Sequence, residues 1–209
     1  MTLDRYDAAI KQFRPGDLVV FQGDELISFA IHAETDGPSH VAVVRWPAGF
    51  DRDGKVIRDV EITQSTIEDG ISGCQTDPLR ETLAKYGAHS SAGLLRLNPE
   101  CNAIFMAHLF DFYAYVGGCE GFVKYDLSGL FGFVARTLPV IGAHICQAED
   151  PHRMFCSAYA TGCYEATKVL RGFNVRKVAP IDLCQMKIWE PEIVQLLDRP
   201  LSIPRFNSV

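Results

Sequence analysis

Apolar and polar residues alternate along the first half of this chain with two clear periods. Tyr6, Ile10 and Phe13 recur at helical spacing and predict a short amphipathic helix over residues 3–13. Pro15-Gly16-Asp17 ends it and opens a strand, Leu18-Val19-Val20-Phe21. A second β-branched run, His40-Val41-Ala42-Val43-Val44-Arg45, follows Pro38-Ser39 and predicts another strand. The turn chemistry between Pro47 and Gly54 predicts a hairpin loop, with Val56–Thr63 as the returning strand. Ser91–Leu97 is a further strand. Asn98-Pro99 predicts a helix start, with the helix reaching Val116 and stopping at Gly117-Gly118. A second long helix is predicted from Phe155 to Leu170, closed by Gly172, and a last short one near Pro191–Leu197.

Composition narrows the classes. With 209 residues and 47% hydrophobic content, the chain suits one packed domain spanning 1–209. A net charge of -6 with scattered Lys and Arg argues against a nucleic-acid binder. The apolar stretch 129–146 contains Arg136, three glycines and a proline, so it suits a groove lining or cover better than a membrane span. The polar N-terminus lacks the apolar core of a secretory signal, which makes the cytoplasm the default location. Export by another route and incorporation into a larger particle both stay open. The seven cysteines include no CxxC pair, so neither a disulfide framework nor a structural zinc site is expected.

Cys156 is the sharpest chemical candidate because it falls in the first turn of a predicted helix. The free amides there stabilise a thiolate, and a neighbouring imidazolium helps further. The plainer alternative is a buried helix cysteine. His40, at the start of a stiff strand, is the candidate base; a partly exposed strand-edge histidine is the alternative. His32, His89, His108, His144 and His152 rank lower. Glu61 is unusual inside a strand-like stretch and is the candidate orienter of His40, with Thr63 and Gln64 as fallback acceptors. Tyr125 is a pocket candidate. Asp126 suits a helix cap. No metal-ligand or phosphate-loop motif is present.

In their order, these pieces resemble the circularly permuted papain-like branch of the NlpC-type superfamily, which includes YiiX-like proteins and relatives of lecithin:retinol acyltransferase. The matching stretches are Pro15–Phe21, Ser39–Val44, Val60-Glu61-Ile62, Tyr125–Phe133 and Phe155-Cys156-Ser157, within a core of about 13–172. The resemblance implies an α+β fold in which a small antiparallel sheet packs against helices and the histidine strand precedes the cysteine helix. It also implies a cysteine hydrolase of the amidase, peptidase or acyl-ester type: Cys156 as nucleophile, His40 as base, Glu61 as third member, and a thioester intermediate. Tyr125, Ser157 and Tyr159 would line the substrate pocket. An acyltransferase and a silent binding module are the alternatives. No cofactor is implied. Partners would be amide- or ester-containing compounds, including peptidoglycan peptides and lipids. The chain departs from many relatives after Cys-Ser, with Ala158-Tyr159 where an acid is frequent.

Overall fold

The computed structural model describes residues 3–23, 37–68, 71–87, 89–125 and 153–209. The segment 129–146, Asp126, His32, His144 and His152 lie outside them.

Ten strands and six α-helices are described. The helices are α1 Asp4–Ala9, α2 Leu79–Tyr86, α3 Pro99–Ala107, α4 Leu109–Cys119, α5 Cys156–Ala166 and α6 Pro180–Gln185. Six strands form the main sheet: β1 Leu18–Gln22, β2 His40–Trp46, β5 Glu61–Glu68, β6 Ile71–Pro78, β7 Ser91–Leu97 and β10 Trp189–Gln195. Their order is β10-β7-β1-β2-β5-β6, and every neighbouring pair is antiparallel. Two short pairs complete the set. β3 Gly49–Phe50 pairs with β4 Val56–Arg58, and β8 Lys124–Tyr125 runs parallel to β9 Arg153–Met154.

The sheet is covered on both faces. In β1 and β2, Leu18, Val20, Val41 and Val43 join a core with Phe105, Phe112, Tyr159 and Leu183 from α3, α4, α5 and α6. Val19, Phe21, Ala42 and Val44 point the other way, toward Tyr6, Leu79 and Leu83 of α1 and α2. Burial of both faces explains why β1 reads as an unbroken apolar run rather than an alternation. This is an α+β architecture with an antiparallel sheet packed against several helices.

The Pro-Gly-Asp motif has a structural cause. Gly16 has φ +87°, and a Cβ there would fall 2.7 Å from the Phe105 ring. Its carbonyl accepts from the Tyr164 hydroxyl at 2.9 Å. Among the described residues no helix is long and apolar enough to cross a membrane.

Several local expectations are corrected. The segment Val56–Thr63 divides into β4 and β5, with Asp59 between them bonded to the backbone N–H of Arg80. The predicted helix 98–116 breaks at His108, and α4 then runs through Gly117-Gly118 to Cys119. Residues 189–195 form an edge strand on β7, not a helix; pairing with Leu94, Leu95 and Leu97 overrides the weak local preference. Strand β6 and helix α2 escaped the sequence pattern. β6 is polar and contains Gly73, so it carries no apolar alternation.

Candidate functional site

The site is built where the start of β2 meets the start of α5. Phe155 is the N-cap of α5, in extended conformation and without a capping side chain, so the first amides of the helix are left for Cys156. The β8–β9 pairing and a bond from the Ser65 hydroxyl to the Met154 carbonyl at 2.7 Å hold the residues leading into it. His40 is 8% exposed and Cys156 3%.

The two side chains share a hydrogen bond. Burial by itself would raise the Cys156 thiol. The charge and hydrogen bond of His40, with the backbone N–H groups of Val41 and Ser157, outweigh it and bring the thiol below its ordinary value. Burial would likewise lower His40, but Cys156, then Gln64 and Asp77, hold it above its ordinary value. The shifts oppose one another in sign, as a thiolate–imidazolium pair requires.

His40 Nε2 is 2.7 Å from Gln64 Oε1. A carbonyl oxygen can only accept, so Nε2 carries the proton. Gln64 Nε2 donates in turn to Asp77 Oδ2 at 2.8 Å, and Gln75 Nε2 donates to the same oxygen at 2.9 Å. The carboxylate thereby fixes which end of the Gln64 amide faces the histidine. Phe21 packs against the imidazole, 5.7 Å between ring centres.

The antiparallel register decides between Gln64 and Glu61. Val43 pairs with Thr63 and Val44 with Ile62, so the chain beyond Thr63 runs toward the His40 end of β2. Glu61 pairs with Trp46, six residues from His40, roughly 20 Å along a strand. The expectation that Glu61 orients His40 is therefore corrected to Gln64, one of the two fallback acceptors. The legible signal was the polar run Thr63-Gln64-Ser65-Thr66 inside a strand; all four residues are buried. Asp77, on a strand the sequence pattern missed, carried no signal.

Two pocket expectations are also corrected. Ser157 and Tyr159 are fully buried, and both hydroxyls are committed. Ser157 Oγ donates to the Val178 carbonyl at 2.7 Å, and the Tyr159 hydroxyl lies 2.7 Å from Thr63 Oγ1. They join α5 to its surroundings. Tyr125 pairs through its backbone with Met154, two residues before Cys156, which keeps it at the edge of the site.

Asp77→Ala removes the shared acceptor of two amides and frees the Gln64 amide to turn. The pH at which Cys156 ionises is expected to rise, and alkylation at neutral pH to slow several-fold, on the order set by the thiolate fraction. Thiolate absorbance across a pH titration checks this; an unchanged midpoint would assign Asp77 to folding alone.

This arrangement, with the histidine strand before the cysteine helix on an antiparallel sheet packed against several helices, is consistent with a circularly permuted papain-like topology. A crystal structure with this fold is that of metalloprotein YiiX from Escherichia coli O157:H7, at TM-score 0.51 and 15% identity over 77% of this chain and 69% of that one. No protein-family model and no curated protein matches the chain. The likeness establishes the fold.

It also corrects the expected activity. The similar structure is that of a metalloprotein, which overturns the expectation of a cysteine hydrolase or thiol protease with a Cys–His–Glu site and a thioester intermediate. A metal centre finds no better support in these residues. Among the described residues no group of three or more His, Cys, Asp or Glu side chains is placed to hold a metal ion. Cys156 and His40 supply two donors, and His40 Nε2 is already committed to Gln64.

Proposed function

We propose that Cys156, His40 and Gln64 form a reactive-thiol centre, and that the chain is a binding module that captures an electrophilic ligand on sulfur. The observation that carries this reading is the placement of Cys156 at the uncapped start of α5, hydrogen-bonded to the buried His40 whose Nε2 is fixed 2.7 Å from Gln64 Oε1; the thiol is accordingly shifted down and the imidazole up. In the capture step Sγ bonds to the electrophilic carbon of an acceptor such as an activated alkene. The electron pair displaced from that carbon takes up the proton of the His40 imidazolium, leaving a neutral imidazole and a thioether. Every atom of the ligand is retained.

Carbonyl-bearing compounds, peptide or lipid, are the ligands to try beside the sulfur. A reducing compartment such as the cytoplasm suits the reading, since the described cysteines are all unpaired and the centre needs a free thiol.

Intact-mass analysis after brief exposure to a small maleimide, with peptide mapping, tests the proposal. Labelling is expected first at Cys156 and is expected to vanish there in Cys156→Ala. Candidate ligands are ranked by how far they protect Cys156. Labelling spread evenly over the cysteines, with Cys156 no faster than Cys101, would overturn the reading.

A further inference from the structure

We infer that Cys74 and Cys119 form a second, independent thiol site: a dithiol that closes to a disulfide when the protein meets a peroxide. Cys74 lies inside β6 and Cys119 is the last residue of α4. The backbone clamps these elements together. The Cys74 N–H donates to the Val123 carbonyl at 3.1 Å, and the Val123 N–H donates to the Cys119 carbonyl at 3.0 Å. Gly73 lets the chains touch there. Its φ is +137°, and a Cβ would fall 2.1 Å from the Val123 oxygen. The two thiols share a hydrogen bond, within the same core that holds Cys163.

The two sulfurs are chemically unequal. The hydrogen bond from Cys74 pulls the Cys119 thiol down; burial opposes this, and the Tyr115 hydroxyl assists it. Cys74, as the donor, is held up by that same bond and by burial. Cys119, slightly the more exposed of the two, is taken as the sulfur that attacks, and Cys74 as the one that resolves. Both keep slight exposure, 4% for Cys74 and 6% for Cys119, whereas Cys163 is sealed.

The steps balance. The Cys119 thiolate attacks the terminal oxygen of a hydroperoxide and becomes a sulfenic acid, and the alkoxide released is protonated to an alcohol. Cys74 then attacks the sulfenic sulfur and water leaves, carrying the hydroxyl of the sulfenic acid and the Cys74 proton. Both sulfurs are oxidised and the peroxide is reduced. A thiol reductant reverses the bond.

Closure would join β6 covalently to α4. β6 also carries Gln75 and Asp77, so the bond would stiffen the strand behind the Gln64–His40 contact.

The test treats the full chain, in a Cys156→Ala background, with stoichiometric hydrogen peroxide. Loss of two hydrogen masses is expected, with a Cys74–Cys119 peptide found under non-reducing mapping and lost after dithiothreitol. In Cys74→Ser, the sulfenic acid on Cys119 is expected to persist and to be captured by dimedone. Cross-linking between other cysteines, or oxidation that leaves Cys74 and Cys119 free, would overturn the inference. Mapping of the Cys156→Ala chain settles this even if the serine variant does not fold. Because Cys156 is absent, the result does not depend on the reactive-thiol reading.

Discussion

His40→Ala is expected to raise the pH at which the Cys156 thiol ionises. Burial, which favours the uncharged form, then acts against only two backbone N–H groups, Val41 and Ser157. The direction of the change is fixed by sign. In the wild type the thiol is held below its ordinary range, so at a given pH more of it is thiolate than in an ordinary cysteine. Without the imidazolium the same ionisation moves upward. Each unit of that movement lowers the thiolate fraction about tenfold, so alkylation at pH 7 is expected to fall by on the order of tenfold or more. Thiolate absorbance as a difference between each protein and its Cys156→Ala counterpart measures the state directly, without depending on reagent access. An ionisation midpoint identical in His40→Ala and wild type would show that the helix start alone sets the thiol. Gln64→Ala should fall between the two, because the imidazole stays while its tautomer is released.

Asp17→Ala is expected to destabilise the fold by about 3 kcal/mol, at the lower end of the range for breaking a buried ion pair. Asp17 is fully buried and accepts from the backbone N–H of Arg14 at 2.9 Å and of Leu97 at 3.0 Å, and from the Arg14 guanidinium at 3.4 Å. Alanine orphans those backbone donors in the core and loosens Arg14, which keeps bonds to the Leu97 carbonyl and to Glu190. The loss falls on the junction of β1, β7 and β10. Urea unfolding measures it as a lower midpoint at unchanged slope; a change under about 1 kcal/mol would mean that water repairs the site.

The cost has a pH signature. Burial pushes the Asp17 carboxyl up to about 6, against the opposing pull of Arg14. A raised carboxylate value means that the native state binds the proton more tightly than the unfolded chain. The contribution of Asp17 is therefore greatest at low pH and declines as pH rises from about 4 to about 6. The penalty for Asp17→Ala should accordingly be larger near pH 4 than at pH 7.

Much of the scaffold was legible in the sequence because it depends on local rules. Strands β1, β2 and β7 announced themselves as β-branched and apolar runs. Asn98 and Pro99 marked a helix start, and the Asn98 side chain does accept from the Cys101 N–H at 2.9 Å. Cys156 at a helix start and His40 at a strand start were fixed by position alone, and the sheet brings them together. Most of the misses share one cause. Which residue of β5 reaches His40 depends on strand register, and register is a property of the pair, set here by Val43–Thr63 and Val44–Ile62. Glu61 drew notice as an acid in a strand, but charge in a sequence says nothing about distance along its partner. β10 took strand form for the same reason: its pairing with β7 is nonlocal. Asp77 and the Cys74–Cys119 contact sit on β6, whose polar residues earn burial only through neighbours distant in sequence. Sequence by itself determined strands β1, β2 and β7, the helix start at Asn98-Pro99, and where the sulfur and imidazole enter the fold. Tertiary structure decided what faces each of them, because side-chain partners across a sheet are chosen by register and packing, which no local pattern encodes.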